Sequence, residues 1–189
     1  MDNLSDIEFL VMGIKEIIPS KFEEIKNRSL NALCKPNGGL WGCPVNSEGQ
    51  YLSDWIKFCS LNAPDWISRN CVKFKLKEDS NILVINSRDS LLNLLTIYNR
   101  VIEIPESLKV LQNAYNDSYI DFESLSKDYD GFYLDFDWFK DFIFSDEDGL
   151  RYRYLFSLWD VNSILLFNLD CVKEQTYYEL DTNKILSED

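Results

Sequence analysis

Strict alternation of apolar and cationic residues over Cys71–Lys77 is the pattern that most restricts the fold of this chain. A period of two places the apolar side chains on one face and the lysines on the other, which is typical of a β-strand with one buried face. The β-branched run Asn81–Ile85 predicts a second strand, and Ser87–Ser90 then caps a helix that continues to Tyr98. Strand and helix patterns this close together predict a mixed α+β fold.

The remaining patterns continue this mixture along the chain. Strands are expected over Ser5–Ile14, Leu40–Pro44, Tyr129–Leu134 and Trp159–Phe167, with an edge strand over Thr176–Leu180. Short helices are expected over Pro19–Ile25, Ser53–Cys59 and Ile120–Leu125. Because no repeat or low-complexity linker separates these elements, we expect a single domain over residues 1–189, with an acidic, aromatic insertion at about 135–150.

The chain contains no histidine. This absence excludes a histidine general base, Ser-His-Asp or Cys-His activation of a nucleophile, and the commonest metal ligand. The five cysteines are widely spaced without a C-x-x-C pair, and no acidic stretch has the spacing of an EF-hand loop, so no metal is expected. Any catalysis must therefore use carboxylates, Tyr, Lys, Arg, Cys or the main chain.

The cysteines also bear on the compartment of the protein. Their number is odd, and four of the five lie among apolar or aromatic residues, so we expect buried, reduced thiols. The sequence opens Met1-Asp2-Asn3 without the basic stretch of a secretory signal, and no apolar run is long enough to span a membrane. We therefore expect a cytoplasmic protein that has no membrane partner.

Negative charge is concentrated late in the chain. Residues 116–189 supply nearly all of the net charge of −13, with 18 acidic against 6 basic residues. A field of this sign repels phosphate backbones, so we expect no direct contact with nucleic acid. The same charge either keeps the protein soluble or attracts a basic protein partner.

The stretch 128–148 interleaves acidic with aromatic residues. It is either a solvated loop or a surface on which exposed rings anchor a protein partner while the charge guides association. On the second interpretation, Asp135, Asp137, Trp138 and Asp141 contact the partner. The acids could also mimic a phosphate track and so block a nucleic-acid-binding protein.

The segment Lys35–Pro44 is the most unusual in the sequence. Its two glycines, Gly38 and Gly39, allow a sharp turn, after which Trp41 and Gly42 offer a flat ring beside bare main chain. That pairing suits a planar ligand ring stacked on the indole, with main-chain groups bonded to the edge of the ligand. The simpler interpretation is a glycine turn followed by a core tryptophan.

In their order along the chain, several segments resemble the ADP-ribosyltransferase-like superfamily, particularly its small, poorly characterised viral and bacterial branches. The matching segments are Lys35–Pro44, Trp55–Cys59, Lys73–Lys77 with Ile82–Ile85, Tyr129–Phe132 and Trp159–Phe167. Together they span roughly residues 11–173. The resemblance implies two small antiparallel sheets flanked by helices, with NAD bound in a cleft between the sheets.

The resemblance also implies the roles of individual residues in an NAD-dependent mono-ADP-ribosyltransferase that modifies a protein. Trp41–Cys43 hold nicotinamide, with Cys43 where the family usually has Ser. Lys15 or Arg28 contacts the phosphates, in place of an early His or Arg. Asp160, one methylene shorter than the usual Glu, is the carboxylate that stabilises positive charge on the ribose as nicotinamide leaves.

The alternative function comes from a different class of protein. A non-enzymatic acidic inhibitor or immunity-type protein, of the anti-defence or anti-CRISPR kind, would bind and block a basic or nucleic-acid-binding protein. Both functions fit a phage or mobile-element origin. Exposed rings in residues 132–144 would favour the inhibitor, whereas an open cleft that joins Trp41 to Asp160 would favour the enzyme.

Overall fold

In the computed structural model, the described residues are 3–28, 35–46, 51–101, 119–156 and 158–186. Their strands are β1 (Glu8–Met12), β2 (Leu40–Pro44), β3 (Asn70–Leu76), β4 (Ile82–Ile85), β5 (Asn99–Arg100), β6 (Tyr119–Ile120), β7 (Gly131–Leu134), β8 (Ser163–Leu166) and β9 (Val172–Glu179). Their helices are α1 (Asp54–Asn62), α2 (Arg88–Ile97), α3 (Phe122–Asp128), α4 (Phe136–Ser145) and α5 (Thr182–Leu186). Single 3-10 turns lie at Leu4–Asp6, Pro19–Lys21, Pro64–Trp66 and Gly149–Tyr152.

Side-chain caps fix where several of the helices begin, among them α1, α2 and α4. The Ser53 hydroxyl accepts a hydrogen bond from the main chain of the first turn of α1. Ser87 and Ser90 form a reciprocal capping box at the start of α2. The Asp135 carboxylate accepts a 2.9 Å hydrogen bond from the Trp138 N–H at the start of α4. Each cap supplies an acceptor to a main-chain donor that has no partner within its helix.

Seven strands form one sheet in the order β4-β7-β8-β2-β1-β3-β9, and β5 pairs with β6 in a separate ribbon. The central strand β2 divides its pairing between two neighbours. Its first three residues, Leu40–Gly42, pair with β8, while Cys43 and Pro44 pair with β1. The sheet therefore consists of two halves that share β2 and separate near Gly42.

The two halves fold onto each other at β2. The ring centroids of Phe9 in β1 and Tyr133 in β7 lie 6.2 Å apart, although three strand spacings, about 14 Å in a flat sheet, separate these strands. Gly42 stands at the bend. A Cβ at this position would lie 3.0 Å from the Phe74 ring and 3.3 Å from Ile164 Cγ2, so the close approach of the halves favours glycine.

Strand alternation sorts the buried side chains into three apolar clusters. The inner faces of the two half-sheets meet through Phe9, Phe74, Tyr133, Ile164 and Leu166. The outer face of β4, β7 and β8 packs against α2, α3 and α4 through residues that include Leu91, Leu125, Phe132, Phe139 and Trp159. The outer face of β1 and β3 packs against α1 and α5 through Leu10, Ile56, Cys71 and Ile185. A layer of helices therefore covers the outside of each half-sheet.

The α+β class is confirmed, whereas the arrangement of the sheets differs from the expectation. The two small antiparallel sheets are halves of one seven-stranded sheet, because β2 pairs with both. One half is also not wholly antiparallel, since β4 runs parallel to β7. The helices α2 and α3 lie between these two strands in the chain, and such a crossover returns the chain in its original direction.

The local expectations differ from the structure at three places. The helix expected over Pro19–Ile25 is only a 3-10 turn, for which the structure gives no side-chain cap hydrogen bond. The late strand begins at Ser163, so Asp160 precedes it instead of opening it. Residues 135–150 form α4 and the start of the next 3-10 turn, and α4 contributes buried side chains to the core. Within the described ranges, no helix is both long enough and apolar enough to cross a membrane.

Candidate functional site

A cavity of about 490 Å³ lies along β2, where the two half-sheets diverge. Gly42 faces the inner cluster, so alternation directs its neighbours Trp41 and Cys43 to the outer faces of the sheet. Trp55 of α1 and Ser163 of β8 complete opposite parts of the lining. The cavity is therefore lined by β2 together with parts of β1, α1 and the segment that leads into β8.

Trp41 belongs both to the core and to the cavity. Its ring centroid lies 4.6 Å from that of the fully buried Trp159, at an interplanar angle of 60°. The Lys35 ammonium lies over this pair, 4.7 Å from the centre of the Trp41 ring and 5.9 Å from that of Trp159. An aromatic face attracts a cation in this position. The cavity thus presents an indole together with a positive charge.

Cys43 forms part of the cavity wall in its neutral form. Only 3% of the residue is exposed, and its thiol donates a weak hydrogen bond to the Leu10 carbonyl, with the two atoms 3.8 Å apart. Burial raises the pKa of this thiol to about 11, and the hydrogen bond with Ser53 opposes that rise only in part. Because the thiolate is the nucleophilic form, Cys43 is poorly suited to attack a substrate.

Asp160 brings a carboxylate to the cavity. It is exposed and follows the buried Trp159 directly, so the core fixes the main chain beside it. Its charge also acts within the fold: burial, then Cys43, then Asp160 raise the pKa of the Cys59 thiol to about 11. Asp160 is therefore a solvated acid on the same cavity as Trp41 and Cys43.

The two cations proposed from the sequence are placed differently. Arg28 lines the cavity, and its carbonyl accepts a 3.3 Å hydrogen bond from the Arg100 guanidinium. Lys15 is exposed and lies outside the cavity lining. Lys35 was not among the site residues expected from the sequence, although it opens the segment Lys35–Pro44 and lines the cavity. Among the residues that the structure describes, Arg28 and Lys35 are the cations that line this cavity.

A tight turn at Gly38 and Gly39 leads into β2, which lines the cavity. Gly38 and Gly39 have φ values of 77° and 72°, which only glycine adopts without strain, and Gly39 also lines the cavity. The turn is packed closely. A Cβ on Gly38 would lie 2.1 Å from the Glu24 carbonyl oxygen, and a Cβ on Gly39 would lie 2.5 Å from the Leu165 side chain.

We expect Gly38→Ala to lower the free energy of unfolding by about 2–4 kcal/mol, because backbone strain adds to a clash with main-chain atoms. The matched control is Gly13→Ala. Gly13 also has a positive φ, 95°, but a Cβ there meets nothing within 4 Å, so only the strain of about 1 kcal/mol applies. Urea unfolding of both variants measures the difference. An equal loss of unfolding free energy in the two variants would show that the turn at Gly38 shifts to make room for the Cβ and that the clash adds nothing.

The acidic residues proposed for a partner surface have mixed roles. Asp135 caps α4, and the Asp137 carboxylate accepts hydrogen bonds from the Asn162 amide at 3.0 Å and from Lys140 at 3.3 Å. Asp141 is exposed on the same helix. Two of the three acids thus make contacts that stabilise the fold, and only Asp141 has no side-chain contact shown within the described ranges.

The aromatic residues of this stretch are mostly part of the core. Phe139 and Phe142 are buried, and the half-buried Trp138 stacks on Phe142 with centroids 5.2 Å apart. Phe144 is the exception, with 76% of its surface exposed. The helical spacing of these rings predicts that they face the core. The acidic residues between them had instead favoured the interpretation of the stretch as a partner-binding surface.

Comparison of the chain with protein-family models, curated proteins and solved structures gave no match. In the described ranges, no group of three or more acidic or thiol side chains could hold a metal ion.

Proposed function

We propose that the cavity binds NAD and that the protein transfers ADP-ribose from it to a protein target. One observation carries the proposal. Residues chosen from three separated segments, Arg28, Trp41 with Gly42 and Cys43, and Asp160, all line this one cavity. Lys15 is not part of it, so Arg28 is the cation that we retain from the sequence.

The size and lining of the cavity support a nucleotide ligand. Its volume of about 490 Å³ falls within the range of about 300–1,000 Å³ that is usual for small-molecule sites. The lining combines aromatic rings with two cations and one carboxylate. An indole suits a planar base, and the guanidinium of Arg28 matches the geometry of phosphate oxygens. Lys35 can pair with the same anion as a point charge.

The chemistry requires stabilisation of positive charge. In the transfer, the bond between nicotinamide and its ribose breaks, nicotinamide leaves with the electron pair, and a nucleophile of the target forms the new bond to ribose and loses its proton. Asp160 supplies the negative charge that favours this transition state. The neutral Cys43 excludes water from one wall without competing for the ribose.

A basic protein target, which the negative charge of residues 116–189 would attract, belongs to this proposal. The alternative, an inhibitor without catalysis, has less support, because most of the rings that would anchor a partner pack within the fold. Phe144 is the remaining exposed anchor, beside the exposed carboxylate of Asp141.

The test is transfer of label from radiolabelled NAD to proteins in a cell lysate. We expect Asp160→Asn to lower the initial rate of labelling by about 100-fold or more, as expected for loss of an electrostatic group that acts on the transition state. The matched control is Asp170→Asn. Asp170 is also exposed but lies outside the cavity lining, so this variant should label at the wild-type rate.

Two results would contradict the proposal. One is wild-type protein that labels nothing at millimolar NAD. The other is an Asp160→Asn variant that labels as fast as the Asp170→Asn control.

A further inference from the structure

The strand β9 (Val172–Glu179) forms one end of the seven-stranded sheet and leaves that edge open. Among the described residues it pairs only with β3. It is eight residues long, contains no proline, and is exposed at every residue from Lys173 onward. Its register with β3 shifts only at its start, opposite Lys75 and Leu76. Edge strands are usually short, bulged or interrupted by proline, because unpaired main-chain groups recruit another strand. β9 therefore offers a long template for strand pairing.

Hydrogen bonds between β9 and β3 determine which main-chain groups of β9 face outward. The Leu180 N–H donates to the Arg69 carbonyl oxygen at 2.7 Å, so these two residues form a hydrogen-bonded pair. In antiparallel strands such pairs alternate with pairs that make no mutual hydrogen bond. By the register of β9 with β3, the main-chain groups that face the open edge are those of Gln175, Tyr177 and Glu179. Within the described ranges, no main-chain hydrogen bond is shown for them.

The open edge of β9 can pair with the same edge of a second copy. A twofold axis perpendicular to the sheet makes such a pairing antiparallel, and outward-facing residues must then oppose outward-facing residues. An axis through Thr176, the midpoint of residues 173–179, meets this requirement and pairs the whole exposed segment. Gln175 then forms a hydrogen-bonded pair with Tyr177 of the second copy. Main-chain hydrogen bonding therefore allows few registers, and this one uses every exposed residue of the strand.

Charge complementarity favours the same register. It places Lys173 opposite Glu179 of the second copy and, by symmetry, Glu179 opposite the second Lys173. Opposite charges directly across an antiparallel pair stabilise the pair, and like charges destabilise it. An axis through Gln175 would place Lys173 opposite Tyr177 instead, and an axis through Tyr177 would take Lys173 beyond the end of the second strand. The register centred on Thr176 is thus the one that pairs both charges within the strand.

We propose that two copies of the chain form a symmetric dimer in which β9 pairs with β9 of the second copy, centred on Thr176. The pairing joins the two sheets into one continuous sheet. The rings of Tyr177 and Tyr178, which are 44% and 39% exposed, add apolar area on the two faces of the strand. The dimer requires no ligand in the cavity, so it is independent of the proposed function.

The net charge of −13 acts mainly away from this contact. Residues 173–179 carry one Lys and two Glu, so little of the acidity of residues 116–189 lies at the edge. One of the two acids, Glu174, already lies 3.6 Å from Lys75 of β3. Repulsion between more distant acids is largely screened at physiological ionic strength, where the Debye length is about 8 Å.

Sedimentation velocity of the full chain, from micromolar to millimolar concentration, tests the dimer. We expect the wild type to form dimers as the concentration rises. Lys173→Glu and Glu179→Lys should each raise the dissociation constant of the dimer about tenfold or more, because both cross-strand pairs become like-charged. An equimolar mixture of the two variants should associate as tightly as the wild type, since both pairs of the mixed dimer again join opposite charges.

Two further variants separate edge pairing from other causes. Lys127→Glu makes the same change in net charge at an exposed residue of α3, on the other half-sheet, and should leave the dissociation constant within about twofold. Tyr177→Pro removes an outward-facing N–H and should abolish the dimer. It should keep the pairing with β3, because proline is tolerated where the N–H of an edge strand faces solvent. Circular dichroism of each variant confirms that it folds.

Three results would overturn the inference. One is a wild type that stays monomeric at millimolar concentration, which would leave the edge to an extended segment of a different protein. Another is Lys127→Glu weakening the dimer as much as Lys173→Glu does. The third is a mixture of Lys173→Glu and Glu179→Lys that associates no more tightly than either variant alone.

Discussion

Raising the pH from 9 to 11 is expected to destabilise the protein by several kcal/mol. Burial raises the pKa of all four described cysteine thiols above the ordinary 9.0: to about 11 for Cys43, Cys59 and Cys71, and to about 12 for Cys171. It also raises the pKa of Tyr98 and Tyr133 to about 12. None of the four described cysteines forms a disulfide, and all are buried.

Whether stability rises or falls with pH depends on which state, folded or unfolded, binds more protons. Above pH 9 the unfolded chain releases its thiol protons, whereas the folded protein keeps them until the pH reaches about 11. The folded state therefore binds more protons in this window, and its stability falls as the pH rises. Below pH 9 the stabilisation from the buried neutral thiols is fully present. Each thiol contributes a slope of at most about 1.4 kcal/mol per pH unit, and less near the two ends of the window, where only one of the two states is partly ionised.

Urea unfolding at pH 8, 9, 10 and 11 measures this slope. Cys59→Ala is the informative variant. It lowers the free energy of unfolding at every pH, because it leaves a cavity in the core. Above pH 9, however, its free energy of unfolding should fall less steeply with pH than that of the wild type, by the contribution of one thiol. A free energy of unfolding that stays level between pH 9 and 11 would mean that these thiols titrate normally and are solvated.

Trp159→Ala is expected to lower the free energy of unfolding by about 3–5 kcal/mol, the usual cost of removing a fully buried large aromatic side chain. The ring contacts three others, with centroid distances of 4.6 Å to Trp41, 5.4 Å to Phe132 and 5.6 Å to Phe156. The vacated volume is bounded by rigid rings, so it cannot collapse. The indole of Trp41 also loses its support at the cavity.

Trp66→Ala is the matched control for this prediction, because the same chemical change is made at a site that is 63% exposed. It should alter stability by no more than about 0.5 kcal/mol. Thermal or urea unfolding of the pair gives the comparison. Similar losses in the two variants would contradict the burial of Trp159.

The elements that depend on local pattern could be predicted from the sequence. The alternation over Cys71–Lys77 corresponds to β3, the cap at Ser87 begins α2, and the short run near Leu40–Pro44 is β2. Each depends on residues within a few positions of one another. The edge position expected for Thr176–Leu180 is also confirmed, since β9 ends the order of the sheet.

The joining of the two half-sheets could not be predicted in this way. It depends on β2 pairing with strands about 30 and 120 positions away, and no pattern within β2 specifies both partners. The candidate site shows the same limit. Trp41 and Asp160 were proposed from chain order, but the exclusion of Lys15 and the inclusion of Lys35 depend on where the chain runs after β1. The burial of Phe139 and Phe142 was missed because acidic neighbours obscured their three-residue spacing.

The sharing of β2 also affects how the protein is made. The partners of β2 and β3 on their far sides, β8 and β9, are synthesised about 100 or more residues after them. The half-sheet that contains β8 is complete only after residue 166 and the half that contains β9 only after residue 179, and pairings this distant in sequence form slowly. During synthesis the apolar strands β2, β3 and β4 therefore each remain without one final neighbour, a state in which nascent chains depend on chaperones to avoid aggregation.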